Sequence, residues 1–168
     1  MKTLRFCSVW NVRWIAAAAV LASMAGCPRP EDILEPNNTP DTATRLMPGV
    51  PVEGRVIQGN PDIFVITGSG NQTLVFSLES LGEENCNSLR VVGPGDQTLY
   101  EDTNQFCGRV GAVSVVQQGG MLELLGEDVR LTIRADAPGD YFLYLYERGE
   151  ADNILDFSWR YRLTATMQ

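Results

Sequence analysis

Short stretches in which apolar and polar residues alternate recur from residue 52 to the end of the chain, separated by glycine, proline, asparagine and aspartate. In residues 129–134 the alternation is strict and places Val129, Leu131 and Ile133 on one side of an extended strand. Residues 157–163 repeat the same period of two with aromatic and apolar side chains. Because successive side chains of a β-strand point to opposite faces, this pattern predicts strands that bury one face.

Turn sequences at residues 68–71, 93–96 and 137–140 separate the expected strands. Together these patterns predict an all-β fold, an antiparallel sandwich of about eight strands. Within residues 73–79, Leu74, Phe76 and Leu78 are expected to share one face. Residues 141–146 break the apolar alternation and predict a strand that is covered on both faces.

The first 27 residues carry a basic stretch, an apolar stretch and then small residues that end at Cys27. This order is typical of a secretory signal peptide, and the apolar stretch is too short to cross a bilayer as a helix. Ala25-Gly26-Cys27 also resembles the bacterial lipobox, in which the cysteine becomes lipid-modified. The alternative is an ordinary signal peptide with a chance cysteine.

The lipobox resemblance implies three regions. Residues 1–26 are the signal peptide, residues 27–51 hold the lipid anchor, a proline-rich tether and a lead-in segment, and residues 52–168 form the sandwich. The membrane is then a partner through lipid on Cys27, and the protein is expected in the bacterial cell envelope, at the outer membrane.

Composition excludes several classes of function. Residues 27–168 carry ten basic and twenty-one acidic residues, a net charge of −11, which argues against binding nucleic acid. The chain has no histidine, so Ser-His-Asp and Cys-His catalysis and the HExxH zinc helix are excluded. Adjacent acids at 83–84, 101–102 and 127–128 are compatible with glycosidase chemistry but more typical of solvated loops. We expect a protein that is not an enzyme and requires no cofactor.

Two cysteines remain in the expected sandwich, Cys86 and Cys107. In a chain exported to an oxidising compartment, an even pair predicts a disulfide. A zinc site is the weaker alternative, because two cysteines without CxxC spacing or histidine do not fill the metal's ligand shell.

Several segments in this order resemble the bacterial pre-peptidase C-terminal domain, a jelly-roll-like β-sandwich. They are the lead-in at residues 35–46, then residues 52–56, 59–64, 137–146 and 161–164. The resemblance covers about residues 33–166. It fails in the middle, where residues 83–127, with both cysteines, replace the family's usual strand.

Some members of that family bind calcium where the lead-in meets the second strand. The resemblance therefore implies a calcium site formed by the residues at the matching positions: Glu35, Asn37, Asn38, Asn60 and Asp62. Carboxylate and amide oxygens are suitable calcium ligands. Asn60 stands where the family has aspartate, which implies weaker binding. Alternatively, Asn37 and Asn38 make turn hydrogen bonds and Asp62 caps a loop.

Aromatic residues near the end of the chain suggest a recognition surface, since flat rings combine apolar area with a polar group. Tyr144 and Tyr146 are the preferred candidates, and burial of the aromatic residues in the core is the alternative. We expect a membrane-anchored, non-catalytic envelope lipoprotein whose sandwich binds polysaccharide or protein. The second hypothesis is a structural or assembly subunit that pairs with another protein through a sandwich edge.

Overall fold

A computed structural model describes residues 34–57, 59–81, 86–101, 106–107, 114–117, 120–125, 128–147 and 158–168. Within these ranges the chain forms twelve strands, numbered here in chain order: β1 Thr44–Arg45, β2 Val52–Ile57, β3 Asp62–Ser69, β4 Gln72–Ser80, β5 Cys86–Gly93, β6 Gln97–Glu101, β7 Phe106–Cys107, β8 Ser114–Gln117, β9 Gly120–Leu125, β10 Asp128–Ala135, β11 Pro138–Glu147 and β12 Ser158–Met167. No helix in the described part of the chain is long and apolar enough to span a membrane.

The strands form two sheets, which confirms the predicted all-β sandwich. The first sheet has the order β1-β3-β11-β5-β6, with β7 also paired to β5, and the second has the order β2-β12-β4-β10-β9-β8. All these pairs are antiparallel except β1 with β3, which is parallel. The count exceeds the expected eight by four, and two of the twelve strands have only two residues.

The core lies between the inner faces of the two sheets, and the period of two decides which residues enter it. In β4, Leu74, Phe76 and Leu78 are buried as predicted. In β10, Leu131 and Ile133 are fully buried, while Val129 packs against the core from its margin. Alternation therefore identified the inner face correctly in both strands.

Strand β11 alternates more regularly than its apolar residues suggested. Tyr141, Leu143 and Leu145 are buried in the core. Phe142, Tyr144 and Tyr146 lie on the outer face and are half-buried. Tyr141 can face inward because its hydroxyl donates a hydrogen bond of 2.6 Å to the carbonyl of Ala137. The strand thus has one buried face and one partly covered face.

The lead-in segment packs against the sandwich, although the sequence placed the start of the domain at residue 52. Thr44–Arg45 pairs with β3, and the backbone N–H of Leu46 donates to the carbonyl of Val65 at 2.8 Å. The Leu46 side chain is buried in the core. A short 3-10 turn at Pro40–Thr42 follows Thr39. The prolines exclude long helices but do not prevent packing.

On the outer face of the second sheet, Arg162 of β12 lies between two acidic side chains. Its Nη2 is 2.8 Å from Glu53 Oε1 and its Nη1 is 2.9 Å from Glu79 Oε2. Hydrogen bonds to Glu53 and then to Glu79 raise the pKa of Arg162 above its ordinary value. Exposed ion pairs add little to the free energy of unfolding. The main effect of the row formed by Glu53, Arg162 and Glu79 is therefore to favour the observed register of the three strands.

The two cysteines of the expected disulfide occupy directly opposed backbone positions. Cys86 of β5 faces Cys107 of β7 in the antiparallel register. Their side chains lie outside the described part of the structure, so the disulfide stays a prediction. Opposed positions in an antiparallel pair have Cβ atoms about 4.5–5.5 Å apart, close to the separation that a disulfide requires.

We predict that the exported protein contains a Cys86–Cys107 disulfide. Intact mass and peptide mapping without reductant should find one linked peptide pair, and the Cys86→Ser/Cys107→Ser variant should unfold at lower urea concentration. Closing a loop of about 22 residues gives roughly 3 kcal/mol in the chain-entropy model. Two free thiols in protein isolated under oxidising conditions would contradict the prediction.

Candidate functional site

Five polar residues gather where the lead-in segment meets the start of β3. We call them the lead-in cluster: Glu35, Asn37, Asn38, Asn60 and Asp62. The side-chain amide of Asn60 donates a hydrogen bond to Glu35 Oε1, and the backbone N–H of Asn37 donates to Glu35 Oε2 at 3.2 Å. The backbone N–H of Ile63 donates to the Asn37 carbonyl at 2.8 Å. These contacts bring the segment containing Glu35 and Asn37 onto the loop before β3.

Two members of the lead-in cluster are fully buried, which is unusual for polar side chains. Asn37 and Asp62 both have 0% exposure. Asp62 Oδ2 accepts a hydrogen bond from the hydroxyl of Tyr161, which reaches it from the second sheet. The side-chain nitrogen and oxygen of Asn37 and the Oδ1 of Asn38 are buried without a hydrogen-bond partner among the described residues. Because such atoms are costly to bury, this place suits a bound cation or water.

The lead-in cluster fits the oxygen chemistry of calcium. Glu35 and Asp62 would supply carboxylate oxygens, and the three asparagines would supply amide oxygens. Nowhere in the described ranges do three acidic, cysteine or histidine side chains converge as a metal site, so amide oxygens would have to complete the ligand set. The side chain of Asn37 and the Oδ1 of Asn38 do not make the turn hydrogen bonds that the alternative interpretation required.

The second candidate site is the outer face of the first sheet around β11. We call it the outer aromatic face and define it by Phe142, Tyr144, Tyr146 and Arg90. Register places Tyr144 between Ile63 of β3 and Arg90 of β5. The guanidinium carbon of Arg90 lies 5.7 Å from the centroid of the Tyr144 ring, a cation–π arrangement. Arg90 Nη2 also donates to Thr98 Oγ1 at 3.3 Å.

Apolar residues form the base of the outer aromatic face. Ile63, Val65 and Val92 are at most 6% exposed although they point away from the core. The Nε of Arg90 is buried with no hydrogen-bond partner among the described residues. The face therefore presents partly exposed aromatic rings and the Arg90 guanidinium over a base of buried apolar side chains. Aromatic rings beside an arginine suit recognition of a ligand that carries an apolar surface and a hydrogen-bond acceptor.

The aromatic residues near the end of the chain indicated the two tyrosines of this face, but no sequence pattern indicated Arg90. Arg90 and Tyr144 are neighbours only because β5 pairs with β11, and nothing in the local sequence around either residue indicates that pairing. Cys27, the expected lipid-bearing residue, lies outside the described residues. Both surfaces discussed here are formed by residues that the structure describes.

Comparison with known proteins supports the fold. No protein-family model and no curated protein matches the sequence. The fold is similar to the pre-peptidase C-terminal domain of a collagenase from Bacillus anthracis, with a TM-score of 0.51 and 17% identity, covering 77% of this chain and 100% of that chain. A periplasmic inhibitor of g-type lysozyme from Aeromonas hydrophila has a TM-score of 0.48 and 13% identity, covering 75% of this chain and 96% of that chain. The first likeness supports the jelly-roll-like fold that the sequence resemblance implied.

We predict that Tyr161→Phe destabilises the protein by about 1.5–3 kcal/mol, because it removes a hydrogen bond to a buried carboxylate. Urea unfolding would measure the change. Tyr141→Phe is the matched control, since it removes a hydrogen bond to the neutral Ala137 carbonyl and should cost about 1 kcal/mol. A Tyr161→Phe variant that loses no more stability than the control would contradict the importance assigned to the Asp62 contact.

Proposed function

We propose that the protein is a non-catalytic envelope lipoprotein whose β-sandwich is a binding module for polysaccharide or protein. The observation that carries this proposal is the outer aromatic face, where Tyr144 lies beside Arg90 and Tyr146 follows on the same face of β11, over an apolar base. Half-buried aromatic rings next to arginine are typical of the residues that dominate binding energy at interfaces. The face is set on the central strands of a sheet, which gives it a rigid support.

Three considerations favour binding over catalysis. The chain has no histidine, which removes the commonest general base. Of the acid pairs at 83–84, 101–102 and 127–128, only Glu101 and Asp128 lie in described strands, and both are exposed. The two carboxylates of the lead-in cluster accept hydrogen bonds from Asn60 and Tyr161 that hold the segment in place, and the fully buried Asp62 is out of a substrate's reach.

The alternative function, assembly through a sandwich edge, receives less support from the described strands. The first sheet ends at β1, which has only two residues, and at β6, which has five. The second sheet ends at β2, which carries Glu53 and Arg55, and at β8, which has four residues. Short edges and charged edges discourage pairing with another chain. We therefore favour binding through a sheet face.

Calcium bound at the lead-in cluster is the second part of the proposal. Full-length protein should unfold at a higher temperature in millimolar calcium than in excess chelator. A tenfold excess of calcium over Kd adds about 1.4 kcal/mol, which raises Tm by roughly 3–6 °C. Asp62→Ala should abolish the shift, whereas Asp136→Ala, which removes an exposed carboxylate paired with Arg134, should retain it. An equal melting temperature in calcium and chelator would refute the calcium site.

Lipid attachment at Cys27 is the third part. The protein expressed in a Gram-negative host should partition into the detergent phase of Triton X-114 and carry acyl chains on its N-terminal peptide by mass spectrometry. Two or more chains hold a protein stably on a membrane. Cys27→Ser should move the protein to the aqueous phase, and Cys7→Ser, a cysteine within the signal peptide, should not. Partitioning of the wild-type protein into the aqueous phase would contradict lipid attachment at Cys27.

The outer aromatic face is tested with a photo-crosslinking amino acid at position 144 and by retention on insoluble peptidoglycan, chitin and cellulose. We expect either a discrete crosslinked protein in cells or retention that falls at least tenfold in Tyr144→Ala and Arg90→Ala. Arg160→Ala, an exposed arginine of the second sheet, is the matched control. If neither crosslinks nor retention depend on position 144, the face is not the binding surface.

A further inference from the structure

A concave groove lies on the outer face of the second sheet, on the opposite side of the sandwich from the outer aromatic face. Its volume is about 420 Å³. We call it the hydroxyl groove because most of its lining side chains carry a hydroxyl or amide group. Strands β4, β9, β10 and β12 and the last residue supply the lining: Thr73, Val75, Ser77, Glu123, Arg130, Thr132, Thr166 and Gln168.

Strand register arranges these side chains in two parallel rows. Thr132, Val75 and Thr166 are directly opposed across β10, β4 and β12 and form the first row. Glu123, Arg130 and Ser77 form the second row, one step further along the strands. With adjacent strands about 4.8 Å apart, the first row is about 10 Å long from Thr132 to Thr166. The rows present polar groups at regular intervals along an extended surface.

These polar groups are not engaged with other parts of the protein that the structure describes. The hydroxyls of Thr132, Thr166 and Ser77 make no hydrogen bond with another described residue. Arg130 and Glu123 are directly opposed yet form no ion pair with each other or with another described side chain. Elsewhere on the same face, Arg162 and Arg134 are both paired with carboxylates. The groove therefore brings together several hydrogen-bond donors and acceptors that have no partner among the described residues.

We propose that the hydroxyl groove binds an extended strand of a neutral polysaccharide. Sugar hydroxyls both donate and accept hydrogen bonds, as do the threonine and serine hydroxyls of the rows. Arg130 provides donors and Glu123 provides acceptors at adjacent positions, a pair that can engage neighbouring sugar hydroxyls. Val75 in the floor, and Met121 opposite Thr132 with 37% exposure, offer apolar contact for the C–H faces of the rings.

Charge selects a neutral ligand over an anionic one. Arg130 and Glu123 cancel within the groove, and the chain has a formal net charge of −8. An acidic polymer would meet repulsion on approach and find only one unpaired guanidinium among the groove's lining residues. This site is distinct from the outer aromatic face, so it goes beyond the function proposed above and does not depend on it.

Isothermal titration calorimetry of the full chain in detergent tests the proposal, with cellohexaose and chitohexaose as neutral probes and hexagalacturonate as the anionic probe. Thr132→Val/Thr166→Val removes two hydroxyls and keeps the branched shape that strands favour. Arg130→Ala removes the guanidinium. Arg160→Ala, an exposed arginine on the same face outside the groove, is the control, and Tyr144→Ala reports separately on the outer aromatic face. Thermal unfolding of every variant verifies that it is folded.

We expect saturable binding of at least one neutral hexasaccharide, weakened at least tenfold in both groove variants and less than twofold in Arg160→Ala. Failure of both neutral probes to bind would overturn the proposal, as would tighter binding of hexagalacturonate. Loss of binding in Tyr144→Ala with the groove variants unaffected would also overturn it and would instead place the sugar on the outer aromatic face. A loss of equal size in Arg160→Ala would mean non-specific adsorption and would count against the groove.

Discussion

Tyr161 links the two sheets at the place where the lead-in segment packs against β3. Its ring is fully buried and packs edge-on against Phe64 of the opposite sheet, with centroids 6.1 Å apart. Its hydroxyl reaches Asp62, beside the backbone contact between Ile63 and Asn37. Gly54 makes room for it, since a Cβ there would lie 2.6 Å from the Tyr161 Cζ atom. One side chain thus joins core packing to the polar lead-in cluster.

This arrangement explains why a carboxylate can be buried in a small sandwich. A buried acidic group is tolerated when hydrogen-bond donors or a cation compensate for the loss of water. Tyr161 supplies one donor to Asp62, and the neighbouring asparagines supply polar atoms that lack partners among the described residues. The same residues that anchor the N-terminal part of the domain are therefore the ones for which we propose calcium binding.

Local pattern was enough to predict the strands and their inner faces, because alternation depends only on neighbouring residues. Leu74, Phe76 and Leu78 illustrate this well. Contacts that depend on the order of strands in a sheet could not be predicted from local sequence. Arg90 meets Tyr144 through the pairing of β5 with β11, and the hydroxyl groove combines four strands that are far apart in the chain. The burial of Asn37 was equally hidden, since the prolines around it suggested a tether rather than a packed segment.

The back-to-back stacking of the sheets leaves the outer aromatic face and the hydroxyl groove pointing in opposite directions. No single compact ligand can contact both, because the two sheets and the core separate them. If both proposals hold, one copy of the protein is a bivalent linker that joins two polymers or a polymer and a protein. Binding of a polymer at one face would then raise the effective concentration of a second binding partner held close to that polymer. The overall affinity of the assembly would therefore depend on the distance between the two partners as well as on the two separate affinities.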